Sequence, residues 1–326
     1  LPVLMVFDRK ADLAALDSAA LDRADPATRR GLVLDALRRH ADEVAAPARA
    51  IAAARGVAVT DLYLAGALAF RADAATIAAL ARDGGDATLL HDRRYTWRDL
   101  TDAASPTASA GPAMPPARAA RADTVWNVRW IDADRVWNEL GLDGSGVLVG
   151  HLDSGVWLSH PDLAGSIWQN PGEIAGNGVD DDQNGYIDDW RGWDFGDADN
   201  DPNDDNPGGG HGTHTAGTVC GDGSGGTQTG VAPGADLLVC KVFDSAGSGS
   251  VAMIWEAWQY CLEMGVRVMT MSLGVPGDDI PASLLRSDRV ATAAIRDAGV
   301  TLFNSAGNEH YSYNPPYEVG MTGRSP

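Results

Sequence analysis

Four short apolar runs interleaved with helical patterns limit what the second half of this chain can fold into. The runs cover 146–152, 236–243, 266–273 and 300–304. A helix is expected over 250–264, with Ile254, Trp255, Trp258, Cys261 and Leu262 on its inner side, and another over 284–298. Continuous apolar strands are covered on both faces, and strands separated by helices pair in parallel. The expected fold class is α/β, a mostly parallel sheet with helices on both faces. In such sheets the chemistry gathers at the carboxyl ends of the strands.

Residues 1–100 follow another pattern. A strand is expected at 3–7 and a long helix over 26–55, with Leu32, Leu34, Leu37, Val44, Ala48 and Ile51 as its buried stripe. Pro47 is expected to kink or split that helix. Strand material follows within 57–70, then a helix over 74–82 closed by Gly84-Gly85, then a strand at 87–90. The order β-α-β-β-α-β predicts a small α+β open-faced sandwich. Residues 101–122, rich in Ala, Ser and Pro, read as a linker, either a plain interdomain tether or a processed segment for which Arg93, Arg94, Arg118 and Arg121 offer basic cleavage points. Residues 123–326 form the second domain.

Charge divides the chain at the same place. Residues 1–121 hold 16 Lys+Arg against 15 Asp+Glu, and residues 122–326 hold 9 against 30. So acidic a surface repels nucleic acid and attracts cations. No apolar run reaches the length of a membrane-spanning helix. Cys220, Cys240 and Cys261 lack metal-ligand spacing, and either one disulfide with a free thiol or three buried thiols satisfies them.

The residues suited to chemistry stand at strand ends and at one helix start. Gly210-His211-Gly212-Thr213-His214-Thr215-Ala216-Gly217 places a histidine, the side chain best suited to move a proton near neutrality, between glycines. A structural histidine, or a zinc pair of His211 with His214 on one helix face, are the alternatives. Leu152-Asp153-Ser154-Gly155-Val156 ends the first strand with an aspartate that is costly to bury without a partner. The third strand runs into Met271-Ser272-Leu273-Gly274, and the fourth into Ser305-Ala306-Gly307-Asn308-Glu309.

Together these stretches resemble the subtilases, the subtilisin-like serine peptidases. Gly230-Val231-Ala232-Pro233 and Gly247-Ser248-Gly249 also match, so the resemblance covers roughly residues 125–310 in the family's order. It implies that Asp153 orients His211, that His211 acts as general base and then general acid, and that Asn308 donates to the oxyanion. Gly247, Ser248 and Gly249, with Ser272, Leu273 and Gly274, would flank an extended substrate peptide as edge strands. Small residues at Ser305 and Ala306 suggest a large apolar P1 side chain. Residues 1–100 look like the family's inhibitory propeptide, an intramolecular partner whose tail threads the active site. The family's nucleophile lies in a Gly-Thr-Ser-Met-Ala stretch beyond the oxyanion asparagine, and these 326 residues contain no such stretch. The expectation is therefore a proenzyme fragment, inactive by itself, of a secreted or cell-surface endopeptidase acting on polypeptides.

Between Asp153 and His211 runs an acidic segment with eleven aspartates and no glutamate from Asp180 to Asp205. Asp180-Asp181-Asp182-Gln183-Asn184-Gly185 fits the opening of a calcium loop, D-x-D-x-N-G. Arg191 stands where such a loop has its bidentate glutamate, so Asp188 or Asp189 is expected to serve instead. Asp180, Asp182, Asn184, Asp188 and Asp189 are the expected calcium ligands. A weaker second loop is Asp197-Ala198-Asp199-Asn200-Asp201. Asp162 matches a calcium ligand of the family's best-known site, but its partner loop, 222–229, is glycine-rich and lacks the usual asparagine. Two rivals to the peptidase reading remain: a pseudopeptidase that binds calcium or peptide without cleaving it, and a zinc hydrolase using His211 and His214.

Overall fold

The computed structural model describes residues 1–16, 18–96, 124–205, 209–276, 280–305 and 324–325. The expected linker, Ala306 and Asn308 lie outside the described residues.

The N-terminal unit has the predicted order. It starts with β1 (Pro2–Phe7), followed by the short α1 (Ser18–Arg23) and the long α2 (Pro26–Ala54). Then come β2 (Val59–Leu62), β3 (Ala67–Arg71), α3 (Ala74–Asp83), β4 (Ala87–His91) and the two-residue β5 (Tyr95–Thr96). The four-stranded sheet has the order β2-β3-β1-β4, antiparallel throughout. Asp25 starts α2 by accepting from Ala27 N at 3.0 Å and Thr28 N at 3.1 Å, with Pro26 at the position where a missing N–H costs nothing. Two expectations need correction. Pro47 is exposed inside one uninterrupted helix, so it does not split α2. The buried stripe is Val33, Leu34, Leu37, Ala41, Ala45, Ala48 and Ala52, whereas Leu32 points outward. The alanines allow α2 to lie close on the sheet, a packing demand that periodicity alone does not reveal.

The second unit opens with α4 (Trp126–Trp130) and α5 (Ala133–Arg135) and is built on a parallel sheet. Its strands are β6 (Leu148–Asp153), β7 (Gly192–Asp194), β8 (Asp236–Lys241), β10 (Val268–Met271) and β12 (Thr301–Asn304), in the order β12-β10-β6-β8-β7, while the two-residue β9 (Ser248–Gly249) and β11 (Val275–Pro276) lie outside it. Every pairing between them is parallel. Helix α6 (His211–Cys220) covers one face, where Ala216 and Cys220 pack on Val149, Leu237 and Val239. Helices α7 (Val251–Glu263) and α8 (Ala282–Asp297) cover the other, where Trp255 and Trp258 meet Leu238 and Cys240. Alternate residues of β8 thus enter opposite cores, as the two-residue period of a strand requires. Strand β7, inside the acidic segment, was not foreseen, because Gly192–Asp194 is too short to show a period. The three cysteines are free and buried, Cys240 Sγ lying 3.5 Å from Cys261 Sγ.

The N-terminal unit rests on α7 and α8. Gln259 accepts from Leu64 N at 3.0 Å and donates to Asp61 O at 2.9 Å. Tyr63 donates to Glu263 at 2.7 Å, Arg38 pairs with the same carboxylate, and Lys10 Nζ donates to Ser287 Oγ at 2.8 Å. Leu34 and Leu37 of α2 join the core that holds Trp255 and Trp258. Strand β5 leaves the sandwich to pair antiparallel with β9 (Ser248–Gly249), Tyr95 opposite Gly249 and Thr96 opposite Ser248.

Candidate active site

The site lies at the carboxyl end of β6, where α6 begins. Asp153 closes the strand with no exposed surface, and His211 opens the helix. Their approach depends on Gly212, where a Cβ would stand 2.1 Å from Gly155 O, so no larger residue fits. Gly210, at φ 91°, adopts the left-handed backbone that turns the chain into the helix. His211 Nδ1 lies 2.7 Å from Asp153 Oδ1. Ser154 N donates to the same oxygen at 2.7 Å, and Thr215 Oγ1 to Asp153 Oδ2 at 3.1 Å. Three donors thus converge on the buried Asp153 carboxylate, which holds the imidazole with Nδ1 toward it and leaves Nε2 as the nitrogen free to act as a base.

Helix α6 begins with backbone N–H groups that need acceptors. Asp204, from the end of the acidic segment, supplies one by accepting from Gly210 N at 3.0 Å and Thr213 N at 3.2 Å. Its other oxygen accepts from Ser154 Oγ at 3.1 Å, which in turn accepts from Gly212 N at 2.9 Å. Nothing in the sequence marks Asp204 for this task, one aspartate among eleven in its segment. His214 is exposed and lines a cleft of about 820 Å³ with Trp126, Trp157, His160, Thr213 and Thr229. Neither Asp153 nor His211 lines that cleft, and among the described residues His211 and His214 share no cluster with a third metal-ligating side chain, as a zinc site would need.

The other expected site residues divide as follows. Ser248 and Gly249 are the strand edge occupied by β5, and Gly247 N donates to Asp244 O at 2.8 Å in the turn before them. Ser272, Leu273 and Gly274 follow β10, with Leu273 O accepting from Ser305 Oγ at 3.5 Å. They stand beside the end of β12, where Ser305 N donates to Met271 O at 3.1 Å.

The acidic segment sorts its carboxylates by partner. Asp180 accepts from Asn184 N at 3.0 Å and Gly185 N at 2.9 Å, so its oxygens close the loop. Asp188 accepts from Gly176 N at 2.8 Å and Gly178 N at 3.0 Å. Asp182 and Asp189 instead meet Glu173, and among the described residues ligand oxygens of these three lie within 4.8 Å of one another. Glu173, outside the loop motif, was not foreseen. Asn170 bridges Asp182 and Asp189 at 3.0 Å to each, Asn184 Nδ2 donates to Asp189 at 3.0 Å, and Tyr260 OH donates to it at 2.7 Å. Burial raises the Asp189 and Glu173 carboxyls, and Glu173 Oε2 is buried with no partner among the described residues. The second loop is held by a lysine: Lys241 Nζ lies 2.5 Å from Asp194 and 3.8 Å from Asp197. Asp162 accepts from Gly225 N in the glycine-rich loop that faces it.

Comparison with known proteins decides the family. The model of the subtilase family of peptidases matches residues 144–326, more than half of the chain. This chain belongs to the subtilase family. Among curated subtilases, the intracellular serine protease of Paenibacillus polymyxa is 34% identical over 196 residues, 60% of this chain and 51% of that protein. The major intracellular serine protease of Bacillus subtilis is 35% identical over 183 residues, 56% and 49%. The minor extracellular protease Vpr of Bacillus subtilis is 34% identical over 151 residues, 44% and 16%. The chain thus spans about half the length of the first two relatives. No helix among the described residues is long and apolar enough to cross a membrane.

Proposed function

We propose that this subtilase chain belongs to a serine endopeptidase in which Asp153 and His211 are two of the three catalytic residues. The observation that carries the reading is the 2.7 Å contact from His211 Nδ1 to a fully buried Asp153, at the carboxyl edge of a parallel sheet. His211 Nε2 would take the proton of a serine as its oxygen attacks the peptide carbonyl, then deliver it to the leaving amine. Asp153 stabilises the imidazolium formed between those steps. Asn308 would donate to the oxyanion, a contribution of roughly 3–4 kcal/mol in such sites. The serine is proposed to lie in the part of the protein that these residues do not include.

Residues 1–100 are proposed as the enzyme's own inhibitor, with 101–122 as the linker removed on maturation. Support comes from the pairing of Tyr95–Thr96 with Ser248–Gly249, the edge proposed to hold a substrate peptide. Calcium is the proposed metal, held by Glu173, Asp182 and Asp189 with help from neighbouring amide oxygens. A cluster of hard carboxylate oxygens, one of them without a partner among the described residues, suits it. Secretion or surface display accords with calcium use, because calcium is plentiful outside cells.

The test is expression of the full reading frame containing these residues, assayed on a casein substrate. Hydrolysis abolished by a serine-directed fluorophosphonate and by H211A supports the proposal. A full-length protein that binds calcium or peptide but turns over no substrate would make it a pseudopeptidase.

A further inference from the structure

Residues 151 and 153 of β6 point to the same face of the sheet, and residues 211 and 215 of α6 lie one turn apart facing them. The four side chains alternate between the two elements as His151, Thr215, Asp153, His211. His151 Nε2 lies 3.0 Å from Thr215 Oγ1, which lies 3.1 Å from Asp153 Oδ2. The same hydroxyl is 3.2 Å from His211 O and 3.1 Å from Gly212 O, so three oxygens compete for its single proton. His151 is only 2% exposed, and its Nδ1 has no partner among the described residues.

The tautomer follows from this network. Were Nε2 the acceptor, Nδ1–H would be a buried donor without a partner, and Asp153 Oδ2 would lose the hydroxyl proton to His151. With Nε2–H as donor, only an acceptor is left unpaired, and the Thr215 proton goes to the charged oxygen, the strongest acceptor in reach. Burial holds His151 neutral, which this arrangement requires. The ionisable groups acting on it are Asp153, His211 and Asp204, while the flanking strands set Val239 and Thr270 beside it.

We infer that His151 is a positioning residue for the Asp153–His211 pair, its Nε2–H fixing Thr215 so that the threonine hydroxyl donates to Asp153 Oδ2. Both oxygens of Asp153 are then committed, Oδ2 to Thr215 and Oδ1 to His211. The inference deepens the proposed peptidase reading and rests on it, but its readout needs no turnover. Without the His151 donor, the Thr215 hydroxyl loses the partner on β6 that anchors its oxygen beside Asp153 and polarises its O–H, so its donation to Asp153 Oδ2 weakens. The charge of Asp153 is then less spread, and the His211 imidazolium gains stability.

The experiment is a ¹H–¹⁵N NMR titration of the His211 ring in the 326-residue chain. H151L and T215V should each move the His211 midpoint upward by about half a unit. The double variant should move it no further than one of them, because both act on the same proton. H151Q should restore the wild-type midpoint, since a glutamine Nε2–H donates from nearly the same place. An unmoved midpoint in folded H151L, or single shifts that simply add, would overturn the inference. If H151L fails to fold, T215V and H151Q decide, and an unmoved T215V or an H151Q shifted as far as T215V refutes it. Failure of the full-length protein to hydrolyse peptides would sink the peptidase reading and leave this coupling measurable.

Discussion

Replacing Lys241 with methionine should destabilise the protein in a way that depends on pH. Lys241 and Asp194 are buried with 1% and 2% of their side chains exposed, and the ammonium also lies 2.8 Å from Asp205. Burial opposes the charge on Lys241, but Asp194 and Asp205 more than offset it and raise its pKa. Burial pushes the Asp194 carboxyl up to about 6, even though Lys241, Gly196 N and Asp197 N all favour the anion. Both groups are therefore charged at pH 7. Without the lysine, Asp194 keeps only its two backbone donors, at 2.7 Å and 3.1 Å, and should stay protonated to higher pH. Below pH 6 the wild type and K241M carry the same neutral carboxyl, so their stabilities should differ little. Above pH 6 the wild-type carboxyl is ionised, while unfolding of K241M releases a proton, which lowers stability by about 1.4 kcal/mol per pH unit. The deficit should reach about 3 kcal/mol at pH 8, the range expected for breaking a buried pair from one side. Urea unfolding at pH 5.5, 7 and 8, followed by tryptophan fluorescence at fixed calcium, measures it. A deficit that is flat with pH, or below about 1 kcal/mol at pH 8, would refute the reasoning.

Further outcomes are expected from the same geometry. In the full-length protein, D153N should lower kcat by about 10⁴ with KM little changed, because it removes the anion that holds the imidazole; steady-state kinetics would show this. Calcium at a hundred times its Kd should stabilise the 326-residue chain by about 2.7 kcal/mol over EDTA, and E173Q should lose most of that gain in thermal melts. Equal Tm values in calcium and EDTA would remove the proposed metal site. G212A should cost about 1–3 kcal/mol in chemical denaturation, because its methyl meets Gly155 O and forces α6 away from β6.

The sequence by itself determined the fold class, the order of the longer elements in both units, with the short β7 left out, and the placement of Asp153 and His211 at a strand end and a helix start. Those features are local: an apolar run declares a buried strand, and glycines around a histidine declare a close approach. It did not determine which carboxylates of the acidic segment would meet. Asp180 and Asp188 sit in the loop motif yet turn to backbone amides, while Glu173 arrives from outside it. Nor did it show that Asp204 caps α6, that Lys241 reaches Asp194, or that His151 touches Thr215. Pairs 47 and 64 residues apart depend on how β6, β8 and α6 stack, and one aspartate among eleven carries no mark of its partner. Leu32 lies outside for the same reason: the period marks an apolar stripe, but the surface packed against α2 decides which edge of it is covered.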